Sequence, residues 1–470
     1  MSSFFCFSFG VSKMKWKQLG QKVTEYRYFD ELYAFLLAVI AFLGWKYDTL
    51  IVMGILIGLA ALVLLWTGDF KFLIPNAVYL VFTIGEGFSS EEIPIPIILI
   101  AVVFVIVLFL GVFKNGFHIG KTKFLGGLLG LAIMNVLPVF WCKTIAEENN
   151  VFYVFFFADL AYLILYVLLS NGIRKNSLHL LSVTMSYLAL LLTAQCIDKV
   201  IELKGTTESI LDLWYYLGWG LCNEAGIMIC VSIPFIFYLM ATADSIFSLL
   251  GHHLKVIAAL VGIVLTTSRG SYLFGFGETL VFYFVLLFIA KKGRAYQNFL
   301  FVFFTVGIVV VLIFKDETID LYHKIQDLVF THGLDSNGRT TLWKWACTLW
   351  NENWVNRIFG PGFCAAIDVR PTPNGDQLTP IVFHSTFFQT LAMGGIFGVL
   401  CLGYHFIQKY YYLAKTDRVF FCVIGIGFLF VDVYGMIDNT YHMYYYMVPL
   451  MVILAVIDSV LKNRKQETTV

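Results

Sequence analysis

The segment His384–Phe406, HSTFFQTLAMGGIFGVLCLGYHF, decides what kind of fold this chain has. It contains no aspartate, glutamate, lysine or arginine. An apolar helix of about 20 residues is long enough to cross the hydrocarbon core of a bilayer. The segment therefore predicts a transmembrane helix, and it places a histidine, His384, at the water-facing start of that helix.

The composition extends this prediction to the whole chain. Of 470 residues, 59% are hydrophobic and 13% are charged, whereas soluble domains carry about 25% charged residues. The net charge of +1 gives no basic signal for nucleic acid. The nine cysteines form no CxxC pair, which leaves no zinc or thioredoxin-like motif. We therefore predict an all-α polytopic membrane protein.

The apolar runs predict about fourteen transmembrane helices, with twelve as the alternative count. Short cytoplasmic loops accumulate lysine and arginine, and the basic residues place both termini in the cytoplasm. The first residues, MSSFFCFSFGVSK, show no cleavage-site pattern, so we expect no signal peptide. The predicted spans lie near Leu32–Trp45, Thr49–Trp66, Phe72–Ile84, Ile95–Phe113, Phe124–Trp141, Val151–Ser170, Leu178–Gln195, Ala225–Ala241, Lys255–Thr267, Ser271–Ala290, Tyr296–Phe314, His384–Phe406, Val419–Tyr434 and Tyr444–Leu461.

These spans divide the chain into three parts. Residues 1–314 hold helices 1–11 and include an aromatic outer segment at 196–224, residues 315–383 form one large extracytoplasmic loop, and residues 384–470 hold helices 12–14. Within the large loop, apolar spacing predicts one short amphipathic helix after Lys315 and a second over Thr340–Glu352. The three prolines of Arg370–Pro380 predict an irregular cover.

Three residues that could carry chemistry lie at predicted helix ends. Arg269 either snorkels to the lipid headgroups or holds an anion with its guanidinium fork. Arg339 follows an Asn-Gly turn and is either a solvated charge or a phosphate ligand assisted by a helix N-terminus. His384 is either structural or a base that takes a proton from a sugar hydroxyl.

Other polar and aromatic residues are secondary candidates. Glu278 lies inside a predicted span, where an acid is either functional or paired with a cation of another helix. Trp343 either stacks on a sugar or packs the loop onto the membrane helices. The sequence has no HExxH motif and no Ser-His-Asp context, so we expect no metal and no cofactor. Further acids with weaker claims are Asp159, Asp432 and Asp438.

Five short motifs follow one another through the C-terminal third to half of the chain. They are SRG at Ser268–Gly270, SNGR with a Trp-rich helix at Ser336–Trp350, GPG at Gly360–Gly362, HS at His384–Ser385 and MGGIFG at Met393–Gly398. This order resembles the O-antigen ligase and polymerase superfamily (the WaaL and Wzy proteins), and the order around one large loop is more specific than any of the motifs alone. The family usually has asparagine after its histidine, where this chain has serine.

The resemblance implies a metal-independent, inverting glycosyltransferase of the bacterial cytoplasmic membrane. Its donor would be an undecaprenyl-diphosphate-linked oligosaccharide at the outer leaflet. By carry-over from the family, Arg269 and Arg339 would bind the diphosphate, His384 would activate the acceptor hydroxyl, and Ser385 would be a secondary site residue. A flippase and a chain-length regulator of the same pathway would be its partners.

Polymerisation of the repeat units of a surface polysaccharide is the leading prediction. The first alternative is a ligase that transfers a finished glycan to a lipid or protein acceptor, because acceptor choice depends on loop shape. The second alternative is a polysaccharide flippase or transporter, which the acids inside predicted spans would suit. Against transport stand the long outer loop and the lack of a repeat between the two halves of the chain.

Overall fold

The computed structural model describes residues 27–85, 120–141, 149–173, 177–204, 213–290, 338–362, 367–372, 375–380 and 382–467, and the separate positions 297, 300, 303, 304, 307 and 323. Within these ranges the chain is helical apart from one β-hairpin and the connecting turns. The helical class of the sequence prediction is therefore confirmed.

Eight of the described helices are long and apolar enough to cross a membrane. They are Arg27–Tyr47, Leu178–Glu202, Cys222–Ala241, Ile246–Leu265, Arg269–Ile289, Thr386–Leu413, Arg418–Gly435 and Tyr444–Arg464. In chain order the helices are α1 (Arg27–Tyr47), α2 (Leu50–Thr67), α3 (Leu73–Leu80), α4 (Leu125–Val136), α5 (Asn149–Gly172), α6 (Leu178–Glu202), α7 (Cys222–Ala241), α8 (Ile246–Leu265), α9 (Arg269–Ile289), α10 (Arg339–Asn351), α11 (Trp354–Phe359), α12 (Thr386–Leu413), α13 (Arg418–Gly435) and α14 (Tyr444–Glu467). Short 3₁₀ turns occupy Phe70–Phe72, Val81–Thr83 and Leu137–Phe140, and a π turn, Phe421–Gly425, lies inside α13.

Twelve of the fourteen predicted spans coincide with described apolar helices, eight of them long and four shorter. The other two, Ile95–Phe113 and Tyr296–Phe314, lie outside the described residues except at a few single positions of the second. The choice between fourteen and twelve spans therefore stays a prediction. The short helix predicted after Lys315 also lies outside the described residues apart from His323.

The predicted start of the ninth span was wrong. Helix α8 begins at Ile246, nine residues before the predicted Lys255, and the side chain of Ser245 caps it by accepting from the Ser248 amide. Lys255 lies within the helix, where side chains of neighbouring helices satisfy its charge. Its ammonium donates to Ser186 Oγ at 3.1 Å and lies 3.9 Å above the Tyr187 ring. Buried partners thus let a helix continue through a cation.

The second part of the predicted loop 315–383 contains one confirmed helix and one segment that the prediction had wrong. Helix α10 matches the predicted Thr340–Glu352 within one residue at each end. The stretch Arg370–Pro380 is not irregular, because Ile367–Thr372 (β1) pairs antiparallel with Gly375–Pro380 (β2). Pro371 and Pro380 are compatible with these strands because a two-stranded sheet consists only of edge strands, where a missing amide donor is tolerated.

Helices α7 and α14 form the centre of the helix bundle. In each, 89% of the most apolar 18 residues are buried inside the protein, against 39% for α1, α8 and α9. The three less buried helices carry exposed apolar rows such as Leu273, Leu280 and Phe284 on α9. In a bilayer such surfaces face lipid, so the bundle has a protein-facing core and a lipid-facing rim.

Helix α12 is broken where it meets the end of α11. Gly395 has φ 59° and ψ −153°, and a Cβ on it would lie 2.6 Å from the backbone nitrogen of Gly360. The backbone oxygen of Gly360 in turn accepts from the Trp141 indole at 2.8 Å. The break therefore lets the loop segment and the membrane helix touch backbone to backbone.

We expect Gly395→Ala to destabilise the protein by about 1–3 kcal/mol, because only glycine adopts this backbone conformation without strain. The midpoint of thermal unfolding in detergent measures the effect. Gly403→Ala is the matched control, since it lies on the same helix and a Cβ there has no neighbour within 4 Å. Equal midpoints for the two variants would contradict the prediction.

Candidate active site

Several helix starts lie together at one end of the bundle. A Cβ on Gly226 of α7 would lie 2.0 Å from Ser271 Oγ of α9, so these two helices touch in their first turns. The start of α12 contacts the loop after α13, where the Thr386 amide donates to the backbone oxygen of Asp438 at 3.1 Å. Tyr434, near the end of α13, connects this loop to α9 because its hydroxyl lies 2.9 Å from Ser271 Oγ. Helix N-termini carry partial positive charge and unpaired amides, so this end of the bundle favours an anionic ligand.

The structure brings His384 and Arg339 to the same carboxylate. His384 Nδ1 lies 3.3 Å from Asp438 Oδ1, and Arg339 Nη2 lies 3.6 Å from Asp438 Oδ2. Arg339 Nη1 also donates to the backbone oxygen of Ile437 at 2.8 Å. The carboxylate side chain is 12% exposed, whereas the imidazole is 43% exposed. A buried acid thus holds one nitrogen of a histidine whose ring still reaches solvent.

The two loops that carry this group are held together by buried polar side chains. Gln389 Oε1 accepts from the Phe383 amide and from Asn439 Nδ2, both at 3.0 Å. Thr386 Oγ1 accepts from the Thr440 amide at 3.2 Å. His384 itself has φ 46°, the left-handed region that is strained for a non-glycine residue. The contacts on both sides of His384 hold this conformation and aim its side chain at Asp438.

Helix α10 packs against the same loop. The Trp343 indole donates to the backbone oxygen of Phe383 at 3.0 Å, and its ring stacks on Phe388 with centroids 5.1 Å apart. Arg339 is the first residue of this helix, after Gly338 in the left-handed conformation. Trp343 therefore positions the loop before His384. These contacts favour packing, the second of the two alternatives for Trp343, over stacking on a sugar.

Arg269 starts helix α9 beside the same region. Ser268 and Ser271, which flank its turn, contact the Tyr434 hydroxyl at 3.2 and 2.9 Å. A Cβ on Gly270 would lie 2.6 Å from the Tyr434 ring, so this glycine makes room for the tyrosine. The backbone oxygen of Tyr434 accepts from the amides of Ile437 and Asp438. Tyr434 thus links the turn of Arg269 to the Asp438 loop.

Two secondary candidates have other places in the fold. Ser385 is buried and caps α12 by accepting from the Phe388 amide at 3.4 Å. Glu278 is fully buried inside α9, and among the described residues no donor reaches either of its carboxylate oxygens. Neither side chain contacts His384, Arg339 or Asp438 in the described part of the chain, so their roles at the site stay predictions.

Part of the chain is similar to a known protein family. Residues 254–403 match the family model described as O-antigen ligase. The matched O-antigen ligase domain covers about a third of the chain and contains Arg269, Arg339 and His384. Neither the curated proteins nor the solved structures gave a match. The predicted superfamily is confirmed.

One residue of this arrangement lies beyond the O-antigen ligase domain. Asp438 follows residue 403 and was only a weak candidate in the sequence, because nothing there pairs it with His384, 54 positions earlier. Gln389 was missed altogether, since a glutamine in an apolar helix has no motif of its own. The sequence signal for Asp438 was that it begins a short polar run, Asp438–Thr440, between two predicted spans.

Proposed function

We propose that this protein is a membrane glycosyltransferase that polymerises undecaprenyl-diphosphate-linked oligosaccharide repeat units of a surface polysaccharide. The observation that carries the proposal is the His384–Asp438–Arg339 group, two of whose members lie within the O-antigen ligase domain. The protein would act in the bacterial cytoplasmic membrane, with both termini in the cytoplasm and the 315–383 loop on the outer side. A flippase and a chain-length regulator would serve the same pathway.

The proposed reaction uses the three groups in separate roles. His384 takes the proton of the acceptor hydroxyl, and Asp438 stabilises the imidazolium that forms. The hydroxyl oxygen attacks the anomeric carbon while the bond from that carbon to the diphosphate breaks, which inverts the configuration. Arg339 and Arg269 stabilise the charge that develops on undecaprenyl diphosphate as it leaves. The reaction draws on side chains alone and is proposed to be metal-independent.

A ligase that moves a finished glycan to another acceptor is the second candidate, because the matching family model carries that description. An assay with purified protein, extracted lipid-linked repeat units and EDTA distinguishes the polymerase from the ligase. A ladder of longer lipid-linked glycans is the expected result for a polymerase. Transfer only to an added lipid acceptor would establish the ligase, and a reaction that stops with EDTA would contradict metal independence.

In the same assay we expect Arg339→Ala to lower the turnover number by about 10²–10³-fold, as for the loss of one donor to a developing charge. Lys344→Ala is the matched control, because Lys344 is an exposed cation on the same helix. Its turnover should stay within about twofold of wild type. Equal losses in both variants would show a general charge effect and would remove Arg339 from the site.

A further inference from the structure

The aromatic segment 196–224 carries an exposed pair of rings just before α7. Within residues 213–217 the side chains alternate between buried and exposed, as they do in an extended strand. The first, third and fifth side chains are buried, whereas the second, Trp214, is 67% exposed and the fourth, Tyr216, is 46% exposed. Tyr216 also pairs with Leu221 across a tight turn. The two rings therefore leave the chain on one face, at backbone positions about 6.5 Å apart.

Hydrogen bonds place the Trp214 end of this pair beside the turn that carries Arg269. The backbone oxygen of Leu213 accepts from Thr267 Oγ1 at 2.8 Å, and Thr267 lies two residues before Arg269. On the other side of Trp214, the Tyr215 hydroxyl donates to a backbone oxygen at the end of α8, at 2.9 Å. Both chain neighbours of Trp214 are thus fixed to the connection between α8 and α9, where Arg269 begins α9.

The same turn is held by the two central helices of the bundle. The amide of Cys222, the first residue of α7, donates to the backbone oxygen of Tyr215 at 3.0 Å. The hydroxyl of Tyr444, the first residue of α14, donates to the backbone oxygen of Trp219. Aromatic residues that anchor a protein in lipid headgroups must contact lipid, so they lie around the rim of a bundle. Exposed rings on a turn held by the central helices are better placed for a ligand in water.

We propose that Trp214 and Tyr216 stack on sugars of the lipid-linked donor glycan. This inference rests on the proposed function, in which Arg269 binds the donor diphosphate. A sugar ring has an apolar face of C–H groups that packs against an aromatic ring, and the polar tips of tryptophan and tyrosine remain available for its hydroxyls. The sugar joined to the diphosphate lies next to Arg269. The order along the turn therefore assigns Trp214 to the sugars nearest the diphosphate and Tyr216 to those that follow.

The test compares the affinities of the protein for two lipids, undecaprenyl diphosphate and the extracted undecaprenyl-diphosphate-linked repeat unit. Displacement of a fluorescent polyprenyl diphosphate from purified protein in nanodiscs gives a Kd for each lipid. We expect the wild type to bind the glycosylated lipid about 10-fold more tightly, since each stacked ring adds about 2–10-fold. Trp214→Ala should lower this preference by about 2–10-fold, and Trp214→Ala/Tyr216→Ala should remove most of it. Both variants should bind undecaprenyl diphosphate as the wild type does, because that lipid carries no sugar.

Two further variants separate stacking from a structural role. Trp354→Ala is the matched control, because Trp354 on α11 is an equally exposed tryptophan, at 68%. It should keep the wild-type preference for the glycosylated lipid. Trp214→Phe keeps an aromatic ring and should lose less of the preference than Trp214→Ala. If Trp214 only shaped the turn beside Arg269, its replacement would change the Kd of both lipids together, because both carry the diphosphate.

Equal affinity of the wild type for the two lipids would overturn the inference, as would a preference that survives in the double variant. Parallel changes in both Kd values would also overturn it, because the rings would then act on the lipid or the diphosphate. Equal losses in Trp214→Phe and Trp214→Ala, or a matching loss in Trp354→Ala, would exclude stacking at this position. A wild type that prefers the glycosylated lipid but transfers no glycan in the EDTA assay would contradict the proposed function alone, which keeps the two failures distinct.

Discussion

Replacing His384 by alanine is expected to lower the turnover number for glycan transfer by about 10²–10⁴-fold, the usual contribution of a general base. The imidazole is the one member of the Asp438 group that has a nitrogen able to act as a base and a side chain that reaches solvent, with 43% of it exposed. Its Nδ1 faces Asp438 Oδ1, which leaves Nε2 for the acceptor hydroxyl. Because the variant keeps Arg339 and the loops, donor affinity should change little.

The companion variant Asp438→Asn isolates the role of the carboxylate charge. In the native protein the Asn439 amide donates to Asp438 Oδ1 at 2.8 Å, and the side-chain oxygen of an asparagine at this position can still accept that hydrogen bond. It cannot stabilise an imidazolium as a carboxylate does, so we expect a loss of about 10-fold or more in turnover. His323→Ala, which removes another exposed histidine, is the control. Elongation that survives His384→Ala would place the base elsewhere.

The second large effect is expected at Lys409, a buried cation of α12. Its ammonium is 0% exposed and donates to both oxygens of Asp432, at 2.8 and 2.6 Å, and to the Tyr441 hydroxyl at 2.7 Å. The Tyr410 hydroxyl also donates to Asp432, at 2.6 Å. The pair joins α12, which starts beside His384, to α13, which leads into the Asp438 loop.

Breaking this pair from one side should destabilise the protein by about 3–5 kcal/mol, because the remaining charge stays buried without its partner. Asp432→Leu should have the larger effect, since Lys409 would keep only Tyr441 as a described hydrogen-bond acceptor, whereas Lys409→Met leaves Asp432 two tyrosine donors. The midpoint of thermal unfolding in detergent measures both variants.

The double variant Lys409→Met/Asp432→Leu is the control for this prediction. Replacing both charges by apolar groups of similar volume removes the desolvation cost of each, so the double variant should be more stable than either single variant. Additive losses would show that the two charges act independently and would contradict the paired arrangement. Arg27→Ala removes a solvent-exposed ion pair between Arg27 and Asp244, so it should change the unfolding midpoint little.

The candidate site was predictable in part. The residue types of Arg269, Arg339 and His384 pointed to diphosphate and proton chemistry, and family resemblance supplied their order. Asp438 was recognisable only as one acid among several near span ends. Gln389 left no signal, because its role depends on a contact with Asn439, which lies 50 positions away in the chain. The interpretation of Trp343 divided between stacking and packing, and its hydrogen bond to Phe383 favours packing.

The sequence by itself determined the helical membrane class, the approximate positions of twelve described helices and the superfamily. These follow from hydropathy, charge and short motifs, which are local properties of the chain. Tertiary structure alone decided that α8 continues through Lys255, that the proline-rich stretch pairs as a hairpin, and that Asp438 meets both His384 and Arg339. Each of these outcomes depends on partners distant in sequence or on backbone hydrogen bonding, and neither leaves a periodic pattern along the chain.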